Sequence, residues 1–192
     1  MTSGMTNILS SMRSAWPVSD ESVEKLCGYF TPCSFPRRYR LIEADRRCPL
    51  AYFVERGLTR SYWMVNGEEI TTSFSHEGGI VFSMDELYYD LPSQEYVETI
   101  ERIDAFSISL RDLRELFATD RDIANWGRVI HQNEYRRLHQ SHKERLTLPA
   151  RERYEAFRQQ FPDVCRRANL SYIASYLGIT PSTLSRLRKS VF

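Results

Sequence analysis

The spacing of apolar and polar positions changes character along this chain, and each change marks a different kind of element. Residues 1–12 show no regular period and read as a loose start. From 19 to 30, SDESVEKLCGYF sets Val23, Leu26, Cys27 and Phe30 at helical spacing. Ser19 or Asp20 is placed to accept the free N–H groups of its first turn, where acids also suit the helix dipole. Between 34 and 110 the pattern becomes short apolar or alternating runs divided by turn residues. AYFVERG ends at Gly57, LTRSYWMV runs into Asn66-Gly67, and EEITTSFS follows. Both residues of Asn-Gly tolerate positive φ, so this dipeptide predicts a tight hairpin. Gly78-Gly79 marks another turn before IVFS, and YVETIERIDAFSISL supplies two more strands. Many short strands without helical interruption predict a small antiparallel β-barrel or roll.

From Leu110 the helical period returns, with no proline until Pro149. Thr119 or Asp120 can cap a second, long helix that runs to about Arg145. Along it Ile123, Trp126, Ile130, Asn133 and Leu138 fall near a seven-residue apolar spacing. A narrow seam between charged flanks suits a partner helix, so these five residues form the expected dimer interface, with Asn133 suited to fixing register. The alternative is a helix packed on its own β domain. ARERYEAFRQQFP predicts a further helix ending near 161–162.

The last two dozen residues are the most informative. SYIASYLG is a short helix with a glycine stop, and Thr180 caps a second helix with Pro181 at its first position, where a missing N–H does no harm. Only a tight turn fits between them, which makes a helix-turn-helix. Ala174 must be small where the helices cross. Ile173, Leu177, Ile179, Leu184 and Leu187 make a shared core. The outward face then carries Pro181, Ser182, Ser185, Arg186 and Lys189. A basic helix of this size fits the major groove of double-stranded DNA, its N-terminal half nearest the base edges. Arg186 suits a bidentate contact to guanine, and Ser182 and Ser185 are adaptable donors. Thr180, Arg188 and Lys189 suit phosphates. An ordinary helical hairpin is the bland alternative.

Charge changes this picture only by sharpening it. The net charge is +1, yet residues 51–100 hold nine acids against two bases, and residues 146–192 hold eight bases against three acids. A basic end joined to an acidic middle suggests that the basic end meets a polyanion. With 42% apolar and 27% charged residues, and few Gly or Pro, the chain is neither disordered nor of low complexity. No apolar run approaches the roughly 20 residues of a membrane span, and no secretion signal opens the chain, so no membrane association and a reducing, cytoplasmic setting are expected. Cys27, Cys33, Cys48 and Cys165 match no zinc or iron–sulfur spacing and read as free thiols. His139 and His142 share a helix face, but no cofactor or metal site is expected. Nor is an enzyme: the carboxylates Asp85, Glu86 and Asp90 stand without a nucleophile pattern or phosphate loop.

The order of β-roll, long helix and helix-turn-helix resembles the Crp/Fnr family of bacterial transcription regulators over residues 20–192. The motif IASYLGITPSTLSRLRK is similar to the subgroup whose second helix begins Thr-Pro and continues Ser-Arg, and YFVERG and NGEE are similar to two turn regions of the family's effector roll. The resemblance implies an α+β fold in three parts. Residues 1–118 form an N-terminal helix and an effector β-roll that is jelly-roll-like and cyclic-nucleotide-binding-domain-like. Residues 119–146 form a long dimerisation helix, and 147–192 a helix-turn-helix domain. It also implies a homodimer on a two-fold symmetric DNA site, with base-reading places on Pro181, Ser182 and Arg186.

The departures are as informative. Cyclic-nucleotide-binding members hold ribose with a glutamate and the cyclic phosphate with an Arg-Ser pair. Those places fall here near Ser83 and near Ser93-Gln94, and no arginine lies between Arg60 and Arg102. A buried phosphate without a cationic partner is costly, so binding of cyclic AMP or cyclic GMP in that mode is not expected. Phe82, Met84, Tyr88, Tyr89 and Tyr96, with Leu138 of the long helix, make candidate lining for an unknown neutral or cationic effector, or simply fill the roll. The helix-turn-helix ends close to Phe192, so any β-wing precedes it or is missing. A second reading keeps the roll as a sensor or scaffold that binds a small ligand or a protein partner without specific DNA binding.

Overall fold

A computed structural model describes residues 4–189. Eight strands form two antiparallel sheets. One has the order β1 (Thr31–Phe35), β8 (Ile103–Ser109), β3 (Leu50–Arg56), β6 (Ile80–Val81). The other runs β2 (Arg40–Ile42), β7 (Tyr96–Thr99), β4 (Thr59–Val65), β5 (Glu68–Ser75). Alternation along the strands turns Ile42 and Val97 of one sheet toward Val54, Val81, Ile103 and Ala105 of the other, in one apolar cluster. Asn66 and Gly67 both have positive φ, 52° and 82°, as the turn between β4 and β5 demands. Gly57 turns β3 into β4 at φ +114°, and a Cβ there would lie 2.6 Å from the Ile103 side chain and 2.8 Å from the Arg102 carbonyl oxygen.

The N-terminus corrects the sequence reading. Residues within the expected loose start form helix α1 (Thr6–Ala15), and α2 (Asp20–Cys27) follows with Ser19 as its cap. The cap of α1 comes from 47 and 48 residues away: the Glu55 carboxylate of β3 accepts from the backbone N–H groups of Asn7 and Ile8 at 3.0–3.1 Å. Ile8 and Met12 are buried beneath it. A local pattern carries no trace of a cap donated by a distant strand.

A short helix α3 (Met84–Tyr89) interrupts the roll, and α4 (Leu110–Thr119) leads to the long helix α5 (Arg121–Thr147). Asp120 caps α5 by accepting from Asp122 and Ile123 N–H. The first half of α5 packs on its own roll. Ile123 and Trp126 are 0% and 2% exposed, in a core with Ile8, Leu26, Phe53, Leu113 and Leu116. Ile130 packs partly against the same core, whereas Asn133 and Leu138 are exposed. The seam expected on Ile123, Trp126, Ile130, Asn133 and Leu138 is therefore corrected: its first members are interior. An outer stripe runs one residue further on, through Ala124, Gly127, His131 and Tyr135. With Met84, Tyr88 and Phe117 these residues line an open apolar groove of about 550 Å³.

After α5 come α6 (Ala150–Gln160), α7 (Pro162–Arg167), α8 (Leu170–Leu177) and α9 (Pro181–Lys189). Their core is not their own. Tyr154, Phe157, Phe161, Ile173, Tyr176, Leu177 and Leu184 share one apolar cluster with Leu58, Phe74 and Ile100 of the roll.

Candidate nucleic-acid interface

Helices α8 and α9 are joined by Gly178, left-handed at φ +65°, and by a hydrogen bond from Ile179 N–H to the Ala174 carbonyl. Ala174 is fully buried where the helices meet, and Ile173, Leu177 and Leu184 are buried around it. The Thr180 hydroxyl accepts from Thr183 N–H at 3.2 Å, which caps α9, and Pro181 opens it. On this frame Thr180, Pro181, Ser182, Arg186, Arg188 and Lys189 are exposed and Ser185 is half-buried. Residues 190–192 lie outside the described residues.

The cations of this region divide into two sets. Arg151 pairs with Glu155, Arg166 with Asp163, and Arg167 with Glu77 and Glu101. Among the described residues, Arg153, Arg158, Arg186, Arg188 and Lys189 have no carboxylate partner within ion-pair distance, and Arg153 donates instead to the Arg145 and Leu148 carbonyls. Three of those five stand on α9, which carries no acid. Arg158 and Arg188 lie near Cys165 and Tyr154: burial raises both groups, and the two guanidiniums oppose it. Unpaired cations on an exposed, capped helix present a surface that lowers its energy by meeting an anion. The stretch between α6 and α8 is helix α7.

The candidate effector residues do not gather into one lining. Phe82 and Tyr88 stack edge-on against His131 of α5, with the Tyr88 hydroxyl 3.0 Å from His131 Nε2. Met84 borders the same outer groove, Tyr89 is 69% exposed, and Leu138 is exposed further along α5. Tyr96 stacks on Tyr62, 5.2 Å between centroids, beneath Arg40. Ser83 caps α3 through Glu86 N–H, the Ser93 hydroxyl donates to the Glu95 carbonyl, and Gln94 N–H donates to the Asp85 carboxylate at 3.1 Å. The single shared lining is thereby corrected: Phe82, Met84 and Tyr88 gather beside His131 at the outer groove, whereas Tyr89 is exposed and Tyr96 stacks on Tyr62.

The electrostatics around this cassette disfavour an anion. Burial first, and the Asp85 charge second, push the Glu95 carboxyl up to about 7. Arg47 is engaged with Glu86 and Asp90, and Arg114 with the C-terminal carbonyls of α3. Arg60 lies on β4 but is 1% exposed, held by Glu98 and Glu69. Its guanidinium sits 4.3 Å from the Tyr62 ring centroid and 3.6 Å from that of Tyr172, on the face covered by α8.

That face joins roll and C-terminal helices by several contacts that sequence reading missed. The Ser175 hydroxyl donates to the Glu69 carbonyl at 3.0 Å and accepts from Thr71 N–H at 2.9 Å, on the edge strand β5. Arg167 donates to both oxygens of Glu77 at 2.8 and 2.9 Å and also pairs with Glu101. Burial raises the Glu77 carboxyl, but Arg167 and the Gly57 N–H outweigh it and bring it down to about 2. These partners lie 66 to 106 residues apart, beyond any local signal.

No protein-family model and no curated protein matches this sequence. Solved structures do match the fold. The c-di-GMP-responsive global regulator CLP of Xanthomonas campestris aligns at TM-score 0.71 and 15% identity, over 90% of this chain and 91% of that one. FixK2 of Bradyrhizobium japonicum aligns at TM-score 0.70 and 19% identity, over 84% of each chain. The catabolite activator protein of Thermus thermophilus aligns at TM-score 0.58 and 16% identity, over 94% of this chain and 86% of that one. The chain has the layout of these Crp/Fnr-type structures: a cyclic-nucleotide-binding-type roll, a long helix and a C-terminal helix-turn-helix.

Proposed function

We propose that this chain is a sequence-specific DNA-binding transcription regulator that acts as a homodimer and does not take cyclic AMP or cyclic GMP through a phosphate–arginine contact. The observation that carries the reading is the exposed face of α9, where Ser182, Arg186 and Lys189 have no acid partner among the described residues on a helix capped by Thr180. Such a helix presents its N-terminal half to base edges and its cations to phosphates. The fold it shares with a solved global regulator of gene expression supports the same reading. Dimer formation is supported by the open apolar groove that Ala124, Gly127, His131 and Tyr135 line with Met84, Tyr88 and Phe117.

Selection of sites from a random DNA pool tests the proposal. The expected result is a two-fold symmetric site bound with a steep salt dependence. Arg186→Ala should relax preference at one base pair by about 1–3 kcal/mol. Lys189→Ala should weaken all sequences alike and reduce the salt slope by about 1. A folded dimer that selects no site favours the sensor or scaffold reading and removes this one.

A further inference from the structure

The joint between the roll and the C-terminal helices is built wholly from the chain's own side chains. Its centre is apolar: the Phe74 ring of β5 lies 5.7 Å from Tyr176 and 6.1 Å from Phe157, with Leu58 and Ile100 beside them. Around it stand the Ser175 bonds to the β5 edge, the Arg167 clamp on Glu77 and Glu101, and Arg60 beneath Tyr172. The last contact ends a ladder of rings and cations that crosses the sheet from Arg40 through Tyr96, Tyr62 and Arg60 to Tyr172. All of these contacts fall on α6, α7 and α8, so the face of α9 stays exposed while the joint is closed.

We infer that this joint, rather than a bound small molecule, fixes the orientation of α9, so that DNA binding needs no effector. The inference rests on the DNA-binding reading of α9 and adds the regulation of that site. Opening the joint would expose Phe74, Phe157 and Tyr176 and leave the buried Arg60 without one of its two stacked rings. Both changes oppose opening, because apolar area returns to water and a buried guanidinium loses compensation. A ligand shifts an equilibrium only by its difference in affinity for two states, and a state this unfavourable leaves little for it to shift. The cassette gives an anionic effector no purchase either: Gln94 N–H is already satisfied by Asp85, and Glu95 adds a second carboxyl.

The test uses the full-length protein and the site selected above, with no nucleotide present. Glu77→Lys combined with Glu101→Lys opens the clamp while raising the net charge from +1 to +5. Charge alone would tighten DNA binding, and an opened joint weakens it, so the sign of the change decides. The expected result is tight binding by the wild type, unaltered by cyclic AMP or cyclic GMP, and binding weaker by about tenfold or more in the double variant. Amide exchange at Thr71, whose N–H bonds to Ser175, reports the joint directly and should quicken in the same variant. Adding Arg167→Glu re-forms the pairs with charges swapped and should restore both affinity and protection. A wild type silent on its own site until a cell extract or a nucleotide is added overturns the inference. So does a double variant with an unprotected Thr71 that binds as tightly as the wild type, or a charge swap that restores protection without affinity. A wild type that selects no site either alone or with nucleotide or cell extract added removes the DNA-binding reading itself, a separate result.

Discussion

At the scale of single residues, two positions carry more than their composition suggests. Gly57 combines positive φ with a Cβ position 2.8 Å from the Arg102 carbonyl oxygen and 2.9 Å from the Ile103 Cα. Backbone cannot step aside as a flexible side-chain end can, so Gly57→Ala should destabilise the protein by about 3 kcal/mol, read by urea unfolding. Glu95 is the reverse case, an acid whose surroundings favour its neutral form. A carboxyl raised from its ordinary range to about 7 favours folding at low pH, and that contribution is lost as pH rises from roughly 4.5 through 7. Glu95→Gln should therefore raise the melting temperature at pH 8 and leave it nearly unchanged at pH 4. Equal effects at both pH values would show that the charge is not what matters there.

At the scale of elements, α5 changes allegiance along its length. Its first turns belong to the core of the roll, and its later turns are mostly exposed, with Arg137 against Phe161 and Ser141 accepting from the Tyr176 hydroxyl. The two stripes are offset by one residue, roughly 100° around a helix. A seven-residue spacing read on Ile123 and Trp126 thus finds the inner stripe and misses the outer one on Ala124, Gly127, His131 and Tyr135. Ile123→Ala should cost about 3 kcal/mol of unfolding free energy at any protein concentration, because it empties an interior position. Tyr135→Glu should leave the fold intact and move sedimentation toward the monomer. A dimer that survives Tyr135→Glu unchanged places the contact elsewhere. The helix-turn-helix shows the opposite situation. Glycine stop, threonine cap, proline at the first position and a small crossing residue are all local requirements, and every one was legible in the sequence.

At the scale of the whole molecule, acid offers a handle on the joint between roll and C-terminal helices. Glu77 is held down to about 2 in the folded chain, so its stabilising contribution is complete above its ordinary pKa and is lost as pH falls from about 4.5 toward 2. Thr71 amide protection should decline over that window before the signals of the inner roll do. Simultaneous loss would mean that the joint and the roll melt as one unit. Sequence spacing by itself determined the hairpin at Asn66-Gly67, the antiparallel roll, the long capped helix and the two-helix motif with its basic face. Each depends on contacts a few residues apart or on a period the chain repeats. Tertiary structure alone decided that Glu55 caps α1, that the cassette rings part company, that Ile123 and Trp126 turn inward, and that Leu58, Phe74 and Ile100 complete the core beneath α8. Those outcomes depend on which surfaces meet across dozens of residues, and apolar burial selects them by shape and area rather than by any pattern along the chain.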